Sequence, residues 1–133
     1  MLAEPDFIGK HALIADDYTA NQEMLQEMLE LLGFRVDVAG DGAQALQLYQ
    51  ENHYDIILMD IEMPLKNGYE VTHEIRKAEG SKKHTLILAL TANTMAGDKE
   101  KCLAAGMDGY LSKPTEIKRL RQKLSELLQG QPK

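Results

Sequence analysis

Tyr54-Asp-Ile-Ile-Leu-Met-Asp-Ile-Glu-Met-Pro64 is the stretch on which the fold turns. Ile56 to Met59 form a continuous apolar run, Asp60 ends it, and Pro64 and Gly68 close it off. A short run bounded by turn residues predicts a strand buried on both faces, as strands of parallel sheets are. In an open α/β sheet, ligands bind at the rim formed by the carboxyl ends of the strands. Asp60 therefore stands at that rim.

Upstream, His11-Ala-Leu-Ile-Ala15 reads as another buried strand, ending in the acid pair Asp16-Asp17, with Met1 to Gly9 as an irregular lead-in. Thr19 and Gln22 have capping-box spacing, which predicts a helix from about Ala20. Met24, Leu25, Met28, Leu29 and Leu32 keep helical period, and Gly33 stops it. Phe34 to Val38 alternate and predict a strand nearer an edge. Asp41 caps a second helix, with Gln44 in the reciprocal place and Ala45, Leu46, Leu48 and Tyr49 on its buried side. Asn52 to Asp55 form a polar link into the central strand.

Downstream of Gly68, Val71, Ile75 and Ala78 mark a third helix, ended by Gly80. Thr85 to Leu90 form a strand without polar alternation, finishing at Thr91. A helix carrying Cys102, Leu103 and Ala104 follows and stops at Gly106. Gly109 to Leu111 are a short last strand leading to Ser112-Lys113-Pro114, and Ile117, Leu120, Leu124, Leu127 and Leu128 stripe a closing helix. Strands alternating with helices over short connections specify one α/β domain with a parallel sheet and helices on both faces. Its core spans about residues 11–128 of the chain. There is no internal repeat and no interdomain linker.

The totals narrow the function. A chain of 133 residues with 44% hydrophobic residues is one domain long and has enough apolar matter for a core. A net charge of -6 argues against nucleic acid, whose binders carry a basic stripe. Lys82-Lys83-His84 reads as a solvated turn. A single cysteine suits a reducing cytoplasm, and no apolar stretch has the length of a membrane span or a signal-peptide core.

The strand ends carry the chemistry. In a parallel sheet they lie on one edge, and here they are Asp16, Asp17, Asp60, Thr91 and Lys113. Two carboxylates ~4 Å apart repel by roughly 4 kcal/mol at an effective dielectric near 20, so stability alone would not gather them. Clustered carboxylates with no His or Cys beside them suit a hard, oxygen-loving ion, and Mg²⁺ is the usual one where phosphate is handled. Lys113 is no metal ligand but neutralises a carboxylate or holds an anion, and Thr91 adds a donor. Acid, divalent ion, cation and hydroxyl together describe phosphoryl transfer onto a carboxylate.

These residues carry a resemblance. Asp16-Asp17, Met59-Asp-Ile-Glu-Met-Pro64 with Gly68, Ala89-Leu-Thr-Ala92 and Tyr110-Leu-Ser-Lys-Pro114 are together similar to the receiver domain of two-component response regulators. The resemblance implies a doubly wound, flavodoxin-like domain with five parallel strands in the order 2-1-3-4-5. It implies that Asp60 accepts a phosphoryl group from a phosphohistidine, and that Asp16, Asp17, Asp60 and the backbone carbonyl of Glu62 hold Mg²⁺, with Mn²⁺ as substitute. Lys113 then pairs with Asp60 or the phosphoryl oxygens, and Thr91 and the Ala92 N–H bond a phosphoryl oxygen. Tyr110 turns inward as Thr91 shifts, Glu62 and Asn93 tune the acyl-phosphate lifetime, and Lys113-Pro114 resembles a bond that is cis in the family. A carboxylate at Glu62 is not the commonest choice there, and Lys66 stands where the family usually has Met.

The implied partner is a histidine kinase or histidine phosphotransfer protein, with no nucleic acid and no membrane contact. A phosphorylation-dependent homodimer is left open. The isolated domain is implied to be no conventional enzyme, catalysing only its own Mg²⁺-dependent phosphorylation and dephosphorylation. The run from Thr91 to Pro114 looks most like receivers of hybrid sensor histidine kinases, of which the chain would be an excised piece.

Two other readings compete. A Mg²⁺-dependent phosphohydrolase of the haloacid-dehalogenase kind also uses an aspartyl phosphate, but places its nucleophile after the first strand. A degenerate receiver would lack part of the acid, Thr and Lys set. His11, His53, His73 and His84 read as surface or packing residues, and Cys102 as an inert core thiol.

Overall fold

The computed structural model describes residues 7–63, 66–91, 98–113 and 115–129. The strands are β1 (His11–Ala15), β2 (Arg35–Ala39), β3 (Ile56–Asp60), β4 (Leu86–Thr91) and β5 (Gly109–Ser112). The helices are α1 (Thr19–Leu31), α2 (Gly42–Glu51), α3 (Gly68–Glu79), α4 (Asp98–Ala104) and α5 (Ile117–Gln129). The strands form one parallel sheet in the order β2-β1-β3-β4-β5. This is the doubly wound α/β fold expected, and the positions Pro64, Ala92, Asn93 and Pro114, for which the sequence raised expectations, lie outside the described residues.

Strand pleating explains the two cores. Ala12, Ile14, Ile56, Leu58, Leu86 and Leu88 face Leu25 and Leu29 of α1 and Leu120 and Leu124 of α5. Leu13, Ile57, Met59, Ile87 and Ala89 face Tyr49 of α2, Val71 and Ile75 of α3, and Cys102 of α4. Successive side chains point to opposite faces, so an unbroken apolar run fills both layers. The chain steps one way along the sheet from β1 to β2 and the other way from β2 through β5. Crossovers of one hand therefore put α1 on one face and α2, α3 and α4 on the other. The reversal lies between β1 and β3, and a crevice opens there at the strands' carboxyl ends.

The local signals held where backbone geometry demanded them. Gly33 has φ of 106°, a left-handed value that few side chains tolerate. Asp41 accepts the Gln44 N–H at 2.8 Å as the cap of α2, and the Gln44 side chain reaches back to the Gly40 N–H at 2.7 Å. The capping box expected at Thr19 and Gln22 does not form. α1 begins one residue earlier than expected, so Tyr18 stands at the cap with no side-chain bond, Thr19 is already helical, and the Gln22 amide donates to Asp16. A full box appears at α3, where Asn67 and Glu70 exchange bonds of 2.9 Å.

Two further expectations are corrected. Ala78 is exposed, and the buried residue of that turn is Glu79. In α4 Cys102 is buried in the core as expected, and Leu103 faces outward. The lead-in is not irregular throughout: Phe7 is 1% exposed, stacks on Phe34 with ring centroids 5.1 Å apart, and donates its N–H to Leu32. Phe7 closes the open end of the core beneath α1. Phe7→Leu is expected to lower the melting temperature by several degrees, about 1–2 kcal/mol, in a thermal melt. An unchanged melt would show that Phe7 packs there without supporting the fold.

Candidate functional site

The crevice holds the acids. Asp16 follows β1 and Asp60 ends β3, the two strands flanking the point where strand order reverses. Asp16 is fully buried and Asp60 is 4% exposed, whereas Asp17 faces solvent. One carboxylate oxygen from each of Asp16, Asp17 and Asp60 lies within 4.8 Å of the others. Lys113, just after β5, brings its Nζ to 3.0 Å from Asp60 Oδ1 and 3.3 Å from Asp16 Oδ2. These residues come from three separate parts of the chain, and only the sheet brings them together.

The Asp60 main chain is tightly held. Asp60 Oδ1 also accepts the Glu62 N–H at 3.1 Å. Gly68 donates to the Ile61 carbonyl at 2.9 Å and lies against Asp60, where a Cβ would sit 2.5 Å from the Asp60 carbonyl oxygen. Glycine is required there by this close approach. Lys66, in the same loop, pairs with Glu74 at 2.8 Å.

Charge at the site is unbalanced. Burial, with the neighbouring Asp16 charge, pushes the Asp60 carboxyl above the ordinary carboxylate range, although Lys113 and the Glu62 N–H oppose it. Burial acts against the Lys113 ammonium, but Asp60 and Asp16 outweigh it and its pKa is raised. Asp16 Oδ2 is buried and accepts no hydrogen bond, its nearest cation being Lys113 at 3.3 Å. A buried acceptor left so is commonly the mark of an ion or water. Three acids facing one lysine also leave two negative charges over, the charge of one divalent cation. The donor set is all oxygen, which fits Mg²⁺.

A cavity of about 350 Å³ opens above these groups, lined by Asp17, Tyr18, Asn21, Asp60, Glu62, Thr91 and Lys113 among others. Thr91 is buried at the end of β4 and accepts the Lys113 N–H on its carbonyl at 2.8 Å. Tyr110 is apart from the cavity. It is half-buried on β5 opposite Ala89 and lines a separate groove between α4 and α5. Asp37, on the edge strand β2, accepts the Tyr54 hydroxyl at 2.7 Å and lies 2.9 Å from His11 Nε2. Tyr18, Asn21 and Gln22 belong to the site's surroundings and escaped sequence reasoning. The signal for them was position alone, since the first turn of α1 follows the acid pair directly.

Known proteins agree with this geometry. A family model described as "Response regulator receiver domain" matches residues 12–125. "Hybrid signal transduction histidine kinase I" of Dictyostelium discoideum is 44% identical over 119 residues, covering 85% of this chain. The chain spans 7% of that kinase's length, and 10% of each of the next two curated relatives. The receiver domain of sensor histidine kinase PA1611 from Pseudomonas aeruginosa PAO1 is 41% identical, with a TM-score of 0.82 over 92% of this chain and 99% of its own. That structure has a magnesium ion coordinated in its active site cleft. The receiver domain of Ssk1 from Saccharomyces cerevisiae, crystallised with the histidine phosphotransfer protein Ypd1, belongs to a structure matching with a TM-score of 0.83. Identity there is 31%, covering 92% of this chain and 90% of that one. Among the described residues no helix is long and apolar enough to cross a membrane. Fold, order of elements and sequence agree, and the chain belongs to the response regulator receiver family, the phosphoryl-accepting domains of two-component signalling.

Proposed function

We propose that Asp60 is the phosphoacceptor of this chain. An Asp60 carboxylate oxygen bonds to phosphorus as the P–N bond of a phosphohistidine breaks, and the bonding pair leaves with the imidazole. Asp16, Asp17, Asp60 and the carbonyl of Glu62 hold Mg²⁺, for which Mn²⁺ is a chemically similar substitute. When bound, that ion neutralises charge on the phosphoryl oxygens and the carboxylates. Lys113 exchanges its 3.0 Å contact with Asp60 for one with the new phosphoryl oxygens. The Thr91 hydroxyl donates to another, and Glu62 and Asn93 govern access of water to the acyl phosphate. The observation that carries this reading is the buried Asp60–Lys113 pair set against two more acids at the floor of an open cavity.

The added charge, about -2, biases a two-state surface. Thr91 shifts toward the phosphoryl group and Tyr110 turns into the space it vacates. The phosphodonor is a histidine kinase or a histidine phosphotransfer protein, and the chain is the receiver segment of a hybrid kinase working in the cytoplasm. Its folded unit reaches back from the expected core of residues 11–128 to include Phe7, with no turnover of an external substrate. A phosphohydrolase reading gains nothing from the geometry, because the acid nearest the lysine, Asp60 at 3.0 Å, ends the third strand in chain order and not the first.

Intact mass after incubation with a small-molecule phosphodonor tests the reading. One phosphoryl adduct is expected with Mg²⁺ and none with a chelator. An unmodified protein, or many equivalents of phosphate released per chain from simple phosphate esters, would count against it.

A further inference from the structure

One polar side chain of α1 turns back beneath the acid pair. The backbone N–H of Gln22 closes the first turn on Tyr18 at 3.0 Å, and its side-chain Nε2 donates to the main-chain carbonyl of Asp16 at 2.6 Å. A carbonyl only accepts, so the nitrogen end of the amide is the one that faces it. Two of the other polar atoms of Asp16 are hydrogen-bonded, and the third, Oδ2, has only Lys113 as a nearby cation among the described residues. Its N–H donates to Ala39 at 3.1 Å, Oδ1 accepts the Tyr18 N–H at 2.9 Å, and Oδ2 lies 3.3 Å from Lys113.

The carbonyl that Gln22 grips belongs to the peptide joining Asp16 to Asp17. Fixing that oxygen fixes the plane of the peptide, and with it the direction in which exposed Asp17 leaves β1. A neutral amide achieves this without changing the charge of the site. We infer that Gln22 is a positioning residue for divalent-cation binding: it holds the Asp16–Asp17 peptide so that both carboxylates converge with Asp60. The inference rests on the reading of those acids as the metal-holding set.

Mg²⁺ titration by calorimetry, with the amide spectrum of the metal-free protein, tests it on three chains. Gln22→Met keeps the shape and helix propensity but removes the donor. It is expected to raise the Mg²⁺ dissociation constant about fivefold, the effect of one ordinary hydrogen bond, and to move the Asp17 amide resonance. Gln22→Ala serves the same comparison if the first variant folds poorly. Gln44→Met is the control. Its amide oxygen accepts the Gly40 N–H in the neighbouring turn and does not touch Asp16, so its Mg²⁺ affinity is expected to equal the parent's even where it melts lower. An unchanged dissociation constant in Gln22→Met and Gln22→Ala, or an equal weakening in Gln44→Met, overturns the inference. A parent chain that binds no Mg²⁺ overturns the reading of the acids as well.

Discussion

Asp60→Asn is expected to abolish the phosphoryl adduct completely and, in the absence of metal, to raise the melting temperature by about 5 °C. The first effect follows because an amide in place of the carboxylate removes the attacking oxygen. The second follows from what the acid costs the fold. Burial and the Asp16 charge hold the Asp60 pKa above its ordinary value of 3.8. A carboxyl whose pKa is raised on folding supports the native state most below the unfolded value, and that support is lost as pH rises through the folded value. At neutral pH the ionised Asp60 therefore strains the native state, and the amide relieves it while Lys113 keeps Asp16 as partner.

Mg²⁺ should reverse the comparison. At a hundredfold excess over its dissociation constant an ion stabilises its host by about 2.7 kcal/mol, and the parent should gain this. The variant, short of one carboxylate, should gain much less. Mass spectrometry checks the adduct, and thermal melts with and without Mg²⁺ check the rest. A variant that still takes up phosphate places the acceptor elsewhere. One that melts below the parent without metal shows that the Lys113 pair outweighs the crowding of acids.

Arg76→Met should unfold the protein more readily than any surface change, by about 3–5 kcal/mol, the cost of breaking a buried ion pair from one side. The guanidinium joins α3 to the segment before β5 through three partners. It donates to Glu79 at 2.7 Å, to Asp108 at 2.9 Å and to the Gly106 carbonyl at 2.8 Å. Glu79 is 4% exposed and also accepts the Tyr49 hydroxyl and the Thr85 N–H, each at 2.9 Å. Met fills similar space but leaves Glu79 charged and buried without a cation. The melting temperature should fall by about 10–15 °C.

The pH dependence follows from Glu79. Burial opposes its charge, but the bonds from Thr85, Arg76 and Tyr49 outweigh burial and hold its pKa below the ordinary 4.5. In the parent, its contribution is present above that value and lost as pH falls through the lower folded pKa. Removing Arg76 lets burial prevail, so the variant should regain ground as acid protonates Glu79. The gap between the two melts is expected to be widest near neutral pH. It should start closing above 4.5 as acid protonates the stranded Glu79, and go on closing through the parent's lowered value. A gap that stays constant with pH would mean that Glu79 is not the group left stranded. Burial and this carboxylate also push the Tyr49 hydroxyl up to about 12, a second reporter by ultraviolet titration.

Much of the candidate site could be gathered from the sequence because buried parallel strands leave a plain pattern. A continuous apolar run needs burial on both faces, and in a sheet with parallel strands the residues ending such runs share one edge. Asp16, Asp60, Thr91 and Lys113 could be gathered on that argument alone. Gln22 was misread for a reason of the same kind. Capping-box spacing is a local pattern, and the stronger acceptor for its amide was the Asp16 carbonyl on a different element. Ala78 lost its buried place to Glu79 because Arg76, one turn earlier on the same helix, together with Tyr49 and Thr85 gives a buried acid its partners. Phe7 was hidden by its polar and irregular neighbours, since no periodicity marks a single ring that plugs a core.

The sequence by itself determined the alternation of strands and helices, the two-faced burial of β3 and β4, and which residues stand at the strand ends. These depend on contacts within a few residues and on solvent, so local pattern suffices. Only the tertiary structure decided that Lys113 sits 3.0 Å from Asp60, that Gln22 serves Asp16, and that Arg76 ties α3 to β5. Those are encounters between groups on different elements, set by how strand ends, helices and loops pack, and no periodicity in one segment encodes its partner in another.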